Sequence, residues 1–171
     1  LINYGGALTD NGLEFGTTPV SASDLFIQTA INGQVNLIST AGANLGFWDG
    51  GNAGLHDNGV IDGGDGVWDA TNRNWTEADG AINGKCGQDF AVFAGQAGTV
   101  TVDVSAGTVG FTGMQFMTDG YVIDGDTLTT DTAATTIRTD AGVTATIAAE
   151  IAGTGGLVKT DSGTLVLSGT N

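Results

Sequence analysis

The chain has 171 residues, 40% of them apolar, but it carries 30 glycines, a single proline and only 7% aromatic residues. Glycine does not recur at every third position, so a collagen helix is excluded. Nineteen acidic residues face four basic ones, Arg73, Lys85, Arg138 and Lys159, for a net charge of −15. Phosphate backbones and anionic bilayers would repel such a chain, which argues against nucleic-acid and polybasic membrane binding.

Residues 1–47 alternate polar and apolar side chains and hold the one proline, Pro19. Asn-Gly pairs at Asn11, Asn32, Asn58 and Asn83 signal tight turns. Residues 48–90 are rich in Trp, Asp and Gly and carry the weakest strand signal, so they read as a loop-rich excursion or an irregular coil rather than a separate domain. Residues 91–171 are the most regular. In Gly98 to Val104 the side chains of Val100, Val102 and Val104 fall on one face, opposite Thr99, Thr101 and Asp103. Val109 with Phe111, Tyr121 with Ile123, Ile137, then Ile147 with Ala149 and Ile151, and finally Leu165 with Leu167 continue the pattern. Residues 144–151 hold helix-forming alanines, yet their β-branched residues and the flanking glycines favour a strand. Short strands separated by glycines every ten residues or so predict an all-β fold. A sandwich, a closed barrel and a parallel β-solenoid all fit that pattern. Small, repetitive inward residues and the scarcity of aromatics favour the solenoid, a single stack over residues 1–171. At about 20–30 residues per coil it would make roughly six to eight coils.

Cys86 is the only cysteine, so no intrachain disulfide framework exists. No run approaches the roughly 18 apolar residues of a membrane-spanning helix. The chain opens at Leu1 without the basic and apolar regions of a signal peptide, and the expectation is that it is an excised piece.

Candidates for chemistry are few. His56, the only histidine, has Asp57 beside it, but neighbours on a strand point to opposite faces, so Asp57 orients it only in a turn. A dyad of His56 with Cys86 has only Lys85 nearby to activate the thiol. Carboxylates cluster at Asp57, Asp62, Asp65 and Asp69, and again at Asp119, Asp124 and Asp126. A glycosidase would need two of them held about 5–9 Å apart in a groove. Gly63 to Asp69 approaches the calcium-binding nonapeptide, with its aspartate one position late, so Asp-Gly turns explain it without a metal. The reading is therefore no catalytic residue, no cofactor, and at most adventitious calcium. Trp48, Trp68 and Trp75 all fall in the irregular middle, where they either plug a gap or present rings for adhesive contact. Asn74-Trp75-Thr76 fits a glycosylation sequon and is expected to carry nothing.

From Gly153 to Asn171 the sequence runs GTGGLVKTDSGTLVLSGTN. It resembles the autotransporter-associated β-strand repeat, roughly G-x-G-G-L-x-K-x-G-x-G-T-L-x-L-S-G-x-N. Asp161 stands where that pattern commonly has a glycine, and Asp161-Ser162-Gly163, which also looks like the loop around a serine nucleophile, is explained by the repeat. The stretches Gly66 to Trp75 and Phe90 to Asp103 are also similar to passenger sequence that precedes the repeat. The resemblance implies a right-handed parallel β-helix at the surface of a Gram-negative bacterium, exported with the help of a C-terminal outer-membrane β-barrel. It implies adhesion, autoaggregation or biofilm formation, with a host surface or matrix component, or self-association between cells, as partner. Cys86 departs from a family that tends to avoid cysteine, and the chain stops mid-pattern. The rival reading is a secreted β-helix enzyme acting on glycans.

Overall fold

The computed structural model describes residues 2–18, 25–39, 44–86, 89–130 and 132–170, and among them there is no helix. Three strands, Ile2–Asn3 (β1), Leu25–Gln28 (β2) and Gln34–Ser39 (β3), form an antiparallel sheet in the order β1-β3-β2. The stack begins with Leu45–Trp48 (β4) and Gly66–Trp68 (β5). Between β5 and the first full coil lie two short strands, Trp75–Thr76 (β6) and Asn83–Gly84 (β7).

Three complete coils follow. The first is Phe90–Phe93 (β8), Thr99–Val102 (β9) and Val109–Gly110 (β10); the second is Gly113–Phe116 (β11), Val122–Gly125 (β12) and Leu128–Thr130 (β13). The third is Ala134–Thr139 (β14), Thr144–Ile147 (β15) and Ile151–Gly153 (β16), and a fourth starts with Gly156–Thr160 (β17) and Thr164–Leu167 (β18). Like strands of successive coils pair in parallel, giving sheets β17-β14-β11-β8-β4, β18-β15-β12-β9-β5 and β10-β13-β16. Register partners Phe90 and Gly113, and then Gly113 and Thr136, are 23 residues apart, and Thr136 and Val158 are 22 apart. The molecule is thus the expected parallel β-solenoid, with about three turns rather than six to eight. The difference lies in the first half: β1, β2 and β3 pair among themselves as antiparallel strands, and β6 and β7 add to the edge of β4 as an antiparallel ribbon instead of forming a further parallel rung.

Alternation builds the core. Val100, Ile123 and Ile147 stand in register on three successive rungs of one sheet, and Met114 stands beside Ile137 on another; all are fully buried. Each such side chain contributes about 1.5–3 kcal/mol by leaving water. Thr135 and Thr139 also face inward, and the hydroxyls of Thr130, Thr132 and Thr135 bond to one another. Gly155, Gly163 and Gly169 of the repeat sit where one coil presses on the coil before it. A Cβ on Gly155 would lie 1.9 Å from Thr132 O, one on Gly163 2.2 Å from Asp140 O, and one on Gly169 2.4 Å from Ala149 O. Glycine there permits close backbone stacking.

A second apolar cluster forms outside the first rungs. Phe47, Val92 and Ala94 point away from the solenoid interior and are covered by Ala30 and Ile31 from the β2–β3 turn and by Ile61. Hydrogen bonds from Ile61 N to Ala30 O and from Gln28 Nε2 to Ala78 O tie the hairpin to the excursion.

Candidate functional site

The Trp-rich excursion between β4 and β8 is ordered by packing and by buried polar contacts. Trp48, Trp68 and Trp75 are 0, 1 and 3% exposed. Trp75 meets Trp48 and Trp68 edge-on, with ring centroids 5.2 and 4.8 Å apart, and packs against Phe93 at 5.7 Å. Phe93 stacks on Phe116 at 5.0 Å and so passes the aromatic column to the next coil. These three indoles plug the N-terminal end of the core, and none presents a ring face to solvent. Trp48 Nε1 donates to Gly64 O at 2.7 Å, whereas Trp75 Nε1 finds no acceptor among the described residues.

Asn83 is the polar hub. Its Nδ2 donates to Asp49 Oδ2 at 2.8 Å and its Oδ1 accepts from Asp57 N at 2.8 Å. Asn83 N donates to Asp57 Oδ1, and Asn83 O accepts from Arg73. The other Asp49 oxygen takes Asp62 N at 2.7 Å. Burial pushes the Asp49 carboxyl above its ordinary value of 3.8, against the pull of those two hydrogen bonds. The sequence pattern gave no hint of this hub. Asn83-Gly84 reads as a turn, but it is strand β7, paired antiparallel with β6, whereas Asn32-Gly33 and Asn58-Gly59 do turn the chain.

The other candidates are held apart. His56 Nε2 lies 2.9 Å from Gly50 O. Asp57 sits at a left-handed φ of 57° and engages Asn83 and, at 3.8 Å, Arg73. His56 and Cys86 line different cavities. Burial raises the Cys86 thiol to about 12, so it is inert near neutral pH. Of the remaining aspartates, Asp69 caps its own turn, its Oδ1 accepting from Thr71 N and Asn72 N, whereas Asp65 Oδ1 accepts from Thr99 N, Asp119 Oδ1 from Thr144 N and Asp126 Oδ2 from Val104 N of a neighbouring coil. Asp124 lies on β12, and its buried Oδ1 finds no donor among the described residues. Asp62 Oδ2 takes Asn58 Nδ2. Among the described residues, no three His, Cys, Asp or Glu side chains come together as a metal site. Asn74 of the sequon is buried, and its amide donates to Val67 O. A groove of about 770 Å³ runs between the hairpin and the β6–β7 ribbon, lined by Phe26, Leu45, Trp75, Ile82 and Cys86 and edged by Glu77, Asp79 and Asp89.

The Gly153–Asn171 repeat has its own geometry. Asp161, in the β17–β18 turn, has φ 61°, the conformation glycine favours, and its Oδ2 accepts from Arg138 Nε at 2.9 Å. Lys159 stands in register with inward Ile137, and its ammonium donates to Thr160 O and Asp161 O. Stacked parallel rungs closed by glycine corners are the arrangement the repeat predicts.

Along its whole length the chain is similar to an autotransporter adhesin. The relative, adhesin BmaC autotransporter of Brucella suis biovar 1 (strain 1330), is 48% identical over 187 residues that cover 100% of this chain. The chain spans about 5% of that relative's length. No protein-family model matches the chain, and no solved structure matches it.

Proposed function

We propose that this chain is a structural and adhesive segment of an autotransporter passenger, displayed at the surface of a Gram-negative bacterium. The observation that carries the reading is the whole-length similarity to an autotransporter adhesin. The fold is compatible with it: a stack of parallel rungs gives stiffness, and its outer face repeats polar side chains. Thr101 stands beside Asp124 on that face, and Thr144 beside Thr164. Such ladders bind through many weak contacts whose avidity grows with copy number. The partner would be a host surface or matrix component, or the same protein on another cell, and the whole protein would carry an outer-membrane β-barrel beyond this segment. Aspartates bonded to backbone amides, a histidine whose hydrogen bond goes to the Gly50 carbonyl and a buried thiol give the glycan-enzyme alternative no support.

Beads coated with the folded chain test the reading. Retention on epithelial monolayers or matrix-coated plates, or bead aggregation, should exceed that of beads carrying an unrelated β-solenoid of equal charge. Equal retention together with no aggregation would sink the proposal.

A further inference from the structure

The four Asn-Gly pairs, at Asn11, Asn32, Asn58 and Asn83, share one latent reaction, and the fold treats them unequally. In such a pair the glycine amide nitrogen lies close in sequence to the asparagine Cγ, and glycine, without a Cβ, hinders their approach least. The two groups react only where the chain lets them meet in line. At Asn83 neither can move. The residue is 1% exposed, Asp49 and Asp57 N hold its side-chain amide at both atoms, and Gly84 is paired with Trp75. Both groups are engaged at Asn58 as well. Its Oδ1 accepts from Val60 N, its Nδ2 donates to Asp62 Oδ2, and Gly59 N donates to Gly80 O at 3.0 Å. Asn11 and Asn32, by contrast, are exposed, and among the described residues neither side-chain amide has a partner. Asn11 lies in residues 4–18, which hold no strand, and Gly12 N is held only by the exposed Asp10 carboxylate at 2.8 Å. Gly33 N has no acceptor among the described residues. Rotating the Asn32–Gly33 peptide does disturb two bonds of the hairpin turn, Gln34 N to Ile31 O at 3.1 Å and Tyr4 N to Gly33 O at 2.9 Å.

We propose that Asn11 and Asn32 are sites of spontaneous deamidation in the folded chain, Asn11 the faster, and that the fold silences the same chemistry at Asn58 and Asn83. The glycine nitrogen bonds to the asparagine Cγ and gives its proton to solvent, while the side-chain nitrogen leaves as ammonia. A cyclic imide results. Water then adds to one of the two imide carbonyls and opens the ring to aspartate or iso-aspartate, so water is the only co-reactant. Each event replaces a neutral amide by a carboxylate and makes a chain of net charge −15 more acidic. At Asn32 the iso-aspartyl product also lengthens the backbone of the turn beside Ala30 and Ile31, which cover the outer apolar cluster.

Incubation of the whole chain at mildly alkaline pH, followed by digestion and mass spectrometry, reads all four positions in one sample. Conversion at Asn11 and then Asn32 is expected. Asn58 and Asn83 should lag by about tenfold or more, because each must first open locally. The same incubation in concentrated urea removes the fold, and there the four pairs should convert at similar rates. Asn11→Gln combined with Asn32→Gln, both at exposed positions, should slow the appearance of acidic species on ion exchange. Four similar rates in the folded chain, Asn58 or Asn83 reacting ahead of Asn11 and Asn32, or the same ranking surviving in urea would overturn the proposal. So would a double variant that acidifies as fast as the native chain.

Discussion

The N-terminal and C-terminal halves of this molecule solve the same physical problem by opposite means. A solenoid buries its apolar ladders only when each rung is covered by another. In the C-terminal half the cover is repetition: Val100, Ile123, Ile147 and Leu167 succeed one another, with small residues and glycine corners keeping the backbones close. In the N-terminal half the cover is irregular and bulky. Three tryptophans, a buried carboxylate and an asparagine hub replace the rung that would otherwise precede β4. The comparison teaches that a periodic stack ends by changing its chemistry. Within the stack the rings of Phe93 and Phe116 stack rung on rung, whereas at its N-terminal end three indoles meet edge to edge in place of a further rung.

Removing bulk from the tryptophan cluster should therefore cost most. Trp48→Ala empties a fully buried site between Trp75 and Phe93 and should destabilise the fold by about 3–5 kcal/mol in urea unfolding. Next comes the polar hub. Asn83→Ala leaves Asp49 with one of its two hydrogen bonds and should cost about 1.5–3 kcal/mol. Asp49 adds a pH signature. Its folded pKa is raised above 3.8 by burial, so the folded state holds the proton more tightly than the unfolded chain does. Stability from this group is greatest when it is protonated, and it falls as pH rises from 3.8 through the raised folded value. The difference in stability between the native chain and Asp49→Asn, followed by urea unfolding across that acid range, should carry this slope. A pH-independent difference would show that the carboxyl is not desolvated.

The two halves also differ in how much of them the sequence reveals. Period-two alternation places Val100, Val102, Ile123, Ile137 and Ile147 inward, as the fold does, because β9 to β15 have one dry face and one wet face; Val104, read on the same face as Val100, lies past the end of β9 and is 38% exposed, and Leu167 is 44% exposed. The coil number is overestimated because residues 2–39 alternate just as well, yet their partners are antiparallel neighbours, and alternation does not encode strand direction. Trp48, Trp68 and Trp75 lie in strands β4, β5 and β6, and of packing and adhesive contact the geometry supplies packing. The Asn83 hub is illegible because its partners Asp49 and Asp57 are 34 and 26 residues away. Asp161 was marked by its departure from the repeat, and the turn shows why that place belongs to glycine.

Within the repeat, two adjacent glycines sharpen the rule of close stacking. Gly155→Ala drives a Cβ to 1.9 Å from Thr132 O, backbone that cannot step aside, and should cost about 1–3 kcal/mol. Gly156→Ala meets nothing within 4 Å and should stay within about 0.5 kcal/mol of the native chain. Equal losses at the two positions would mean that these glycines act through backbone entropy rather than through contact between coils.

The smallest effect is expected at Asp161, where two modest terms oppose each other. Its φ of 61° costs a residue with a side chain about 1–2 kcal/mol, with aspartate near the low end because its short side chain tolerates this conformation. Against this stands the ion pair with Arg138, reaching back to the preceding rung at 2.9 Å. Both partners are more than a third exposed, so solvent screening limits the pair to about 0.2–1 kcal/mol. Asp161→Gly removes the strain and the pair together, and should leave stability within about 1 kcal/mol of the native chain. Asp161→Asn keeps most of the tolerance and loses the charge, so it should be destabilising by the worth of the pair alone, an effect that fades at high salt. Asp161→Ala keeps the strain, loses the pair, and should be the least stable of the three. If thermal melts instead rank alanine equal to glycine, backbone conformation does not set the preference at this turn. The repeat's glycine would then be a matter of space for a following coil.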